Sequence, residues 1–345
     1  MVEKLMTVKE IAALAGVSIG TVDRVIYHRG RVSAETRARV ESIIQKYQFT
    51  PNPIARRLKR NRAYRFCAFL PRQNQDAGYW SQILEGIREG SREITPLGVG
   101  TEIIQFDRYS IGEFHKASDT LLLEKPDGII LSPIMPEKMK SLITKIQDSE
   151  IPCIFFDADL PGARPLCAIG QDSFRGGYLA GRLMHLLTGS ITKPLAVLDT
   201  HGEDYHITRR RDGFLRYAGE LGFSTVVKEY SGYKGVEISV DEISVFLEEN
   251  PDLAGIFITN CMAHRVVEAS KRQKRKCSFC LVGYDLIPDN RELLRNGWID
   301  AIISQRPEEQ GREALLNLYR HIVLEQDILP KIEIPLDVYL KENIP

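Results

Sequence analysis

No stretch of this 345-residue chain stays apolar for the ~18 residues that a helical bilayer crossing needs. The first residues, MVEKLMTVKEIAALAG, lack the long apolar core behind a basic start that marks an export signal. The expectation is therefore a cytoplasmic protein with no membrane partner. Cysteine is scarce, at six residues, too few for a disulfide-built scaffold in a chain of this size. Cys277 and Cys280 form one C-x-x-C, but a structural zinc site wants four ligands and no second pair sits at suitable spacing. There is no P-loop, no G-x-G-x-x-G after a strand and no H-E-x-x-H. No metal site and no cofactor are expected, and no nucleophile–base constellation marks an enzyme. Short repeats and low-complexity tracts are also missing.

What is present is an ordinary globular composition, 43% hydrophobic and 27% charged, in a chain long enough for two or three folding units. The net charge of zero hides an asymmetry. Residues 1–65 carry 14 Lys and Arg against 5 Asp and Glu, and the remainder carries 32 against 41. A basic head on an acidic body suggests a polyanion-binding module joined to something else.

Within the head, GVSIGTVDRV contains G-x-S-x-G, the spacing of a hydrolase nucleophile elbow. That motif needs a strand before it and a helix after it. Here Val8, Ile11, Ala12 and Ala15 recur at helical spacing, and Thr7 with Glu10 reads as a capping box. Gly16 reads as the end of that helix and Ser18 as the N-cap of the next. Val22, Val25 and Ile26 give the second helix its apolar stripe. Ser33 caps a third, with Val40, Ile43, Ile44 and Tyr47. Three short helices with a tight glycine turn predict a helix-turn-helix over residues 1–49.

In FTPNPIARRLKRNR, Asn52 and Pro53 suit the start of a short helix carrying Arg56, Arg57, Lys59 and Arg60 around Leu58. Residues 50–63 read either as a solvated basic linker or as a hinge that becomes helical on DNA. From Tyr64 strands and helices alternate to the end, which predicts α/β layers with parallel sheets over 64–345. Two lobes are expected, one about 64–170 and 305–332, the other about 171–304 and 333–345. The tail KIEIPLDVYLKENIP reads as a strand, which disfavours a C-terminal zipper.

A second helix of this kind enters the major groove and meets base edges with its first residues. Those are Ile19, Gly20 and Thr21, then Arg24. Ile19 suits a thymine methyl and Arg24 a guanine, whereas Gly20 offers backbone alone. Thr7, Ser18, Thr21, Ser33, Thr36 and Tyr47 suit phosphates, with simple capping as the alternative for Thr21 and Ser33. Leu58 suits a minor-groove wedge. Two such wedges require a homodimer on a roughly palindromic double-stranded site.

The run TVKEIAALAGVSIGTVDRVIYHRGRVSAETRARVESIIQKYQFTPNPIARRL resembles the head and hinge of the lactose-repressor/galactose-repressor family of bacterial transcription regulators. The A-G-V-S turn, T-V-x-R-V, V-S-x-x-T-R-x-R-V and P-N-x-x-A-R-x-L carry the likeness. It implies DNA contacts from the head and from Asn52, Ala55, Arg56 and Leu58 of the hinge. Two residues depart from the pattern: Asp23 stands where the family has Ser or Thr, and His28 where Asn is common. LVGYDLIPDNRELLRNGWIDAIISQRPEEQGREAL resembles the family's two-lobed effector domain, which is like a type I periplasmic binding protein.

Ligands of open α/β sheets bind beyond the carboxyl ends of the strands. Reading those ends gives Tyr79 and Trp80, Asp157, His201 and Glu203, Arg209 and Arg210, Asn260, Asp285 and Gln305. A carboxylate, an arginine, amides and an aromatic wall suit a polyhydroxylated ligand. By resemblance, Asp157, Arg210, Asn260, Asp285 and Gln305 fall on effector-contact positions, although a strand-end Asp also serves as a helix cap. The Arg209–Arg211 run admits an anionic effector, a sugar acid or sugar phosphate. The sequence thus predicts a DNA-binding regulator, a repressor in kind, controlled by a sugar or sugar derivative. A nucleobase or other metabolite as effector, a transporter's solute-binding protein and an enzyme are the competing readings.

Overall fold

The computed structural model describes residues 6–26, 30–47, 49, 62–189, 192–230, 238–273 and 279–345. The expected hinge helix, with Asn52, Ala55, Arg56 and Leu58, lies outside them, as do His28 and Cys277. The chain falls into two compact units, Met1–Arg62 and Ala63–Pro345.

In the first unit, α1 (Val8–Ala15), α2 (Ile19–Ile26) and α3 (Ala34–Lys46) close around Ile11, Ala12, Ala15, Val22, Val25 and Val40. The Glu10 amide donates to Thr7 Oγ1 at 3.2 Å and the Thr7 amide to Glu10 Oε2 at 2.8 Å, a complete capping box. Gly16 ends α1 at φ 64°, where a side chain would be strained. The Thr21 amide donates to Ser18 Oγ at 3.1 Å. Ser18 therefore caps a helix two residues after another has ended, and the nucleophile-elbow geometry is absent. Tyr47, read as part of the apolar stripe of α3, is 44% exposed. It stands at the helix C-cap, past the last turn that faces the core.

The second unit alternates strand and helix. In chain order it comprises β1 (Tyr64–Pro71), α4 (Tyr79–Ile94), β2 (Val99–Phe106), α5 (Ile111–Glu124), β3 (Gly128–Leu131), α6 (Pro136–Asp148), β4 (Cys153–Phe156) and β5 (Cys167–Gly170). Then come α7 (Ser173–Thr188), β6 (Leu195–Thr200), α8 (Tyr205–Glu220), β7 (Thr225–Tyr230), α9 (Val240–Glu249), β8 (Gly255–Ile258) and α10 (Ala263–Arg272). Last are β9 (Cys280–Tyr284), α11 (Pro288–Arg295), β10 (Ala301–Ser304), α12 (Pro307–Ile322), β11 (Lys331–Glu333) and β12 (Asp337–Tyr339).

Two six-stranded sheets result, ordered β11-β5-β4-β3-β1-β2 and β12-β10-β9-β8-β6-β7. All pairings are parallel except β10 with β12. Strands β3, β4, β6 and β8 are buried along their whole length, the condition that makes parallel strands read as continuous apolar runs. The tail forms two short strands, one in each sheet, because Pro335 interrupts the single strand read there; Pro lacks the ladder N–H. Phe69 is level with Leu131, Leu131 with Phe155, and in the other sheet Leu198 with Ile258. Residues just past these ends therefore lie side by side.

Each lobe is backed by a helix pair that crosses on glycine. A Cβ on Gly86 of α4 would sit 1.9 Å from the Glu308 carbonyl oxygen of α12, and one on Gly177 of α7 1.7 Å from the Arg210 carbonyl oxygen of α8. Backbone cannot yield to such contacts. Gly177→Ala should therefore lose roughly 1–3 kcal/mol or more to overpacking. Gly219→Ala, on the same α8 but with nothing within 4 Å of its Cβ, should be neutral or gain up to about 1 kcal/mol. Denaturant unfolding of the two variants checks the contrast.

Candidate functional site

The first unit presents a surface chemistry suited to nucleic acid. On α2, Val22 and Val25 face inward, while Ile19, Gly20, Asp23 and Arg24 are exposed and Thr21 is half-buried. Ile19 is 44% exposed, an apolar side chain left outside a well-filled core. The stem of Arg24 runs past Gly30, where a Cβ would lie 3.5 Å from Arg24 Cδ. Ser18 and Thr21 hydroxyls bond each other at 2.9 Å, and Ser33 donates to Thr36 Oγ1 at 2.8 Å. The Thr36 amide also donates to Ser33 Oγ at 3.2 Å. These hydroxyls thus work first as caps, and Thr7 is held by Glu10.

In the second unit the ends of both sheets meet over a buried polar cluster. Tyr79, Trp80, Asp157, Arg210, Asn260, Asp285 and Gln305 all line one cavity there. Tyr79 donates its hydroxyl to Asp157 Oδ1 at 2.6 Å, and Ser132 donates to Oδ2 at 3.2 Å. Arg210 lies 3.7 Å over the Tyr284 ring, donates to the Thr259 carbonyl at 3.0 Å and to Gln305 Oε1 at 2.9 Å. Gln305 in turn donates to Asp285 Oδ1 at 3.0 Å. Trp80 packs edge-on against Tyr79 and donates its indole N–H to Asp76 Oδ2 at 2.7 Å. Asn260 is used locally, donating to Thr200 Oγ1 and accepting from the Met262 amide.

Asp157, His201 and Asp285 stand at the ends of β4, β6 and β9 with φ of 69°, 67° and 62°. Left-handed backbone at a non-glycine residue is costly and gathers at functional sites. It turns the chain sharply and drops each side chain into the cleft. Asn290 supports the floor without being foreseen. It is fully buried on α11, donates to the carbonyls of Cys261, Tyr284 and Asp285, and accepts the His264 amide.

Strand-end reading also passed over the residues after β2. Arg108 binds Asp76 of its own lobe and reaches Asp204 of the other at 2.8 Å. Asp204 also accepts the Met135 amide at 2.7 Å. Tyr109 donates to Asp76 Oδ1 at 2.9 Å and meets His201 Nε2 at 3.3 Å. The signal was available: QFDRYS ends a strand with charged and aromatic residues, just as the chosen ends do. Among the charged residues after β6, Glu203 was singled out, yet its neighbour Asp204 makes the contact, and Glu203 Oε1 is buried with no partner among the described residues.

The RRR run divides. Only Arg210 lines this cavity. Arg211 pairs with Asp199 at 2.9 Å and with Glu229, and Arg209 lies 4.7 Å over the Phe174 ring.

Burial sets the charge of the cleft. It pushes Asp285 up to about 7, against the pull of Arg210, and raises Asp157 and Asp204 above the usual carboxylate range. Asp76 is the exception: burial pushes it up, but Arg108, His201 and the Trp80 bond together hold it below its ordinary value. Burial, helped by Arg108, lowers His201 to about 3, and burial holds His206 well below the ordinary range, so both imidazoles are neutral. The free space among these groups is about 30 Å³, room for one or two waters. The described residues hold no group of three or more His, Cys, Asp or Glu arranged for a metal, no disulfide among Cys67, Cys153, Cys167, Cys261 and Cys280, and no helix long and apolar enough to cross a membrane.

A two-lobed ligand-binding body following a helix-turn-helix defines a DNA-binding regulator governed by a small molecule. Residues 67–326 match the periplasmic binding protein domain, and residues 7–52 match the bacterial regulatory proteins of the lacI family. The chain belongs to this family of transcription regulators. It is 26% identical over 285 residues to the HTH-type transcriptional regulator DegA of Bacillus subtilis, covering 81% of each chain. It is 30% identical over 198 residues to the HTH-type transcriptional repressor PurR of Edwardsiella ictaluri, covering 56% of this chain and 55% of that one. Its structure is similar to that of a putative LacI transcriptional regulator from Bacteroides fragilis, with TM-score 0.76, 26% identity, and coverage of 82% and 99%.

The raised Asp285 has a measurable consequence. Between its ordinary value of 3.8 and about 7 the folded protein keeps a proton that the unfolded chain has released, so this group makes stability fall as pH rises. His201 acts with the opposite sign over 3 to 6.5, losing stability as pH falls. Asp285→Asn removes only the first effect. Its stability relative to wild type should climb from pH 4 to 7 and level off above, as read by denaturant unfolding at each pH.

Proposed function

We propose that the effector is a neutral polyhydroxylated molecule of sugar type, held between the lobes by Asp157, Arg210, Asp285 and Gln305 with Tyr79 as an aromatic wall. The observation that carries this is the buried chain Arg210–Gln305–Asp285 facing Tyr79–Asp157 across the cleft. Such a set offers donors and acceptors in alternation, which is what hydroxyls require. Four carboxylates face two guanidinium groups, an arrangement that favours a neutral sugar over a sugar acid or sugar phosphate.

The site works by binding and not by catalysis: its polar groups hold one another, and Ser18 is spent as a cap. A homodimer reads a roughly palindromic operator through Ile19, Thr21 and Arg24, with Leu58 as a minor-groove wedge and Asn52, Ala55 and Arg56 as further DNA contacts. Effector binding must separate Arg108 from Asp204 or reseat them, since about 30 Å³ admits no sugar ring. That step gives the ligand unequal affinity for two states, the condition for control.

The test is thermal unfolding of the full chain against sugars, sugar acids, sugar phosphates and nucleobases, followed by titration of an operator selected in vitro. A neutral sugar at 100 times its Kd should stabilise by about 2.7 kcal/mol and change operator affinity. Arg210→Ala should abolish that response and leave ligand-free operator binding. Arg24→Ala should do the reverse, weakening operator binding by about 1–3 kcal/mol while keeping the sugar response. A response confined to nucleobases or to anionic sugars overturns the neutral-sugar reading.

A further inference from the structure

Asp204 is the N-cap residue of α8 and has the extended backbone of that position, φ −74° and ψ 124°, yet its side chain makes no cap bond. Asp172, at the start of α7, does what the residue type does there and accepts the Arg175 amide at 3.0 Å. An N-cap carboxylate ordinarily satisfies a first-turn amide that has no partner inside its helix. At Asp204 both oxygens are spent across the cleft instead. Oδ2 accepts from Arg108 at 2.8 Å and Oδ1 from the Met135 amide at 2.7 Å. Both donors belong to the first lobe, so α8 forgoes its own cap to hold the opposite wall.

The other position is already prepared. The backbone of Asp204 has cap geometry, so side-chain rotation alone brings the carboxylate back to its own helix. Arg108 keeps Asp76 of its own lobe as a partner, and the Met135 amide meets water once the lobes part. Arg210 stands on the same helix, about 9 Å further along the axis. A ligand that moves Arg210 therefore moves Asp204 with it.

We infer that Asp204 is a two-position switch. With the lobes together it latches α8 to Arg108 and Met135, and as they part it turns back to cap α8. The bonds lost across the cleft are offset in part by one gained within the helix, so opening costs less than breaking a buried ion pair outright. This goes beyond the sugar reading and does not depend on it: any effector that wedges the cleft meets the same latch.

Pulse alkylation of the full chain with iodoacetamide, read by peptide mass, follows the latch without a ligand. Cys261 is 3% exposed, and its thiol donates to the Asp76 carbonyl of the other lobe at 3.2 Å, so it becomes reactive as the lobes part. Cys67 and Cys153, buried in β1 and β4, report loss of the fold. Arg108→Met and Asp204→Ala should each speed alkylation of Cys261 about 10-fold or more, as loss of a buried ion-pair partner implies, and leave Cys67 and Cys153 at the wild-type rate. Asp204→Ser keeps a capping hydroxyl too short to reach Arg108. It should do the same, and it decides the outcome where either other variant loses its fold. Hydrogen exchange reads the second position. The first-turn amides of α8 should exchange about 5-fold more slowly in Arg108→Met, where Asp204 is released to cap them, than in Asp204→Ala. A wild-type rate at Cys261 in the folded variants, or equal exchange of those amides in Arg108→Met and Asp204→Ala, overturns the switch. If these rates change as expected while no sugar stabilises the chain, the sugar reading falls and the switch stands.

Discussion

The contact between Arg108 and Asp204 is the constraint on which the arrangement of the body depends. One guanidinium binds a carboxylate from each lobe, and all three groups are buried. Burying charge costs several kcal/mol per ion, and mutual attraction repays it only when geometry is good and remaining bonds are filled. Here both carboxylates have further donors: Trp80 and Tyr109 serve Asp76, and the Met135 amide serves Asp204. This buried ion pair joins the lobes beside an apolar cluster that also runs through both of them, Trp80 and Met135 on one side and Met262 and Leu286 on the other. Parting the lobes would break the Arg108–Asp204 pair and leave Arg108 with Asp76 of its own lobe. Two states of similar free energy are what a small ligand needs in order to choose between them.

The helix crossings decide where the binding arginine stands. Gly177 brings α7 against the Arg210 backbone, while Tyr284 underlies its guanidinium and Gln305 and Thr259 fix its ends. Gln310 does similar work at the crossing between lobes. It accepts the Asp157 amide at 2.7 Å and donates to the Gln305 carbonyl at 2.8 Å, so one side chain ties a residue of each wall. Rigid placement of a few polar groups lowers the ordering cost of binding.

Much of this was legible in the sequence because the relevant signals are local. The capping box at Thr7, the glycine turn at Gly16 and the apolar runs of the buried strands each follow from a handful of neighbouring residues. The rule that ligands sit past strand ends then led to Asp157, Arg210, Asp285 and Gln305, which the fold brings around one cavity. What escaped reading depends on distant partners. Nothing local says that Arg108 finds Asp204 rather than solvent, or that Asn290 closes two loops. Nor does anything local show that Arg210 enters the cleft while Arg211, one residue on, pairs with the buried Asp199 of β6. The tail reads as one strand by its alternation, yet Pro335 within it breaks the run into two short strands, one in each sheet.

The left-handed residues at the strand ends limit how such a site diversifies. At Asp157, His201 and Asp285 the backbone admits glycine, asparagine and aspartate far more readily than β-branched or bulky side chains. A lineage drifting toward a new effector therefore has little freedom at the positions that reach deepest into the cleft. Its accessible routes run through residues on regular helix, Tyr79 and Tyr205 among them, where most side chains differ by less than about 1 kcal/mol in backbone preference. The scaffold thus conserves its polar centre by conformational strain and leaves novelty to the aromatic margins.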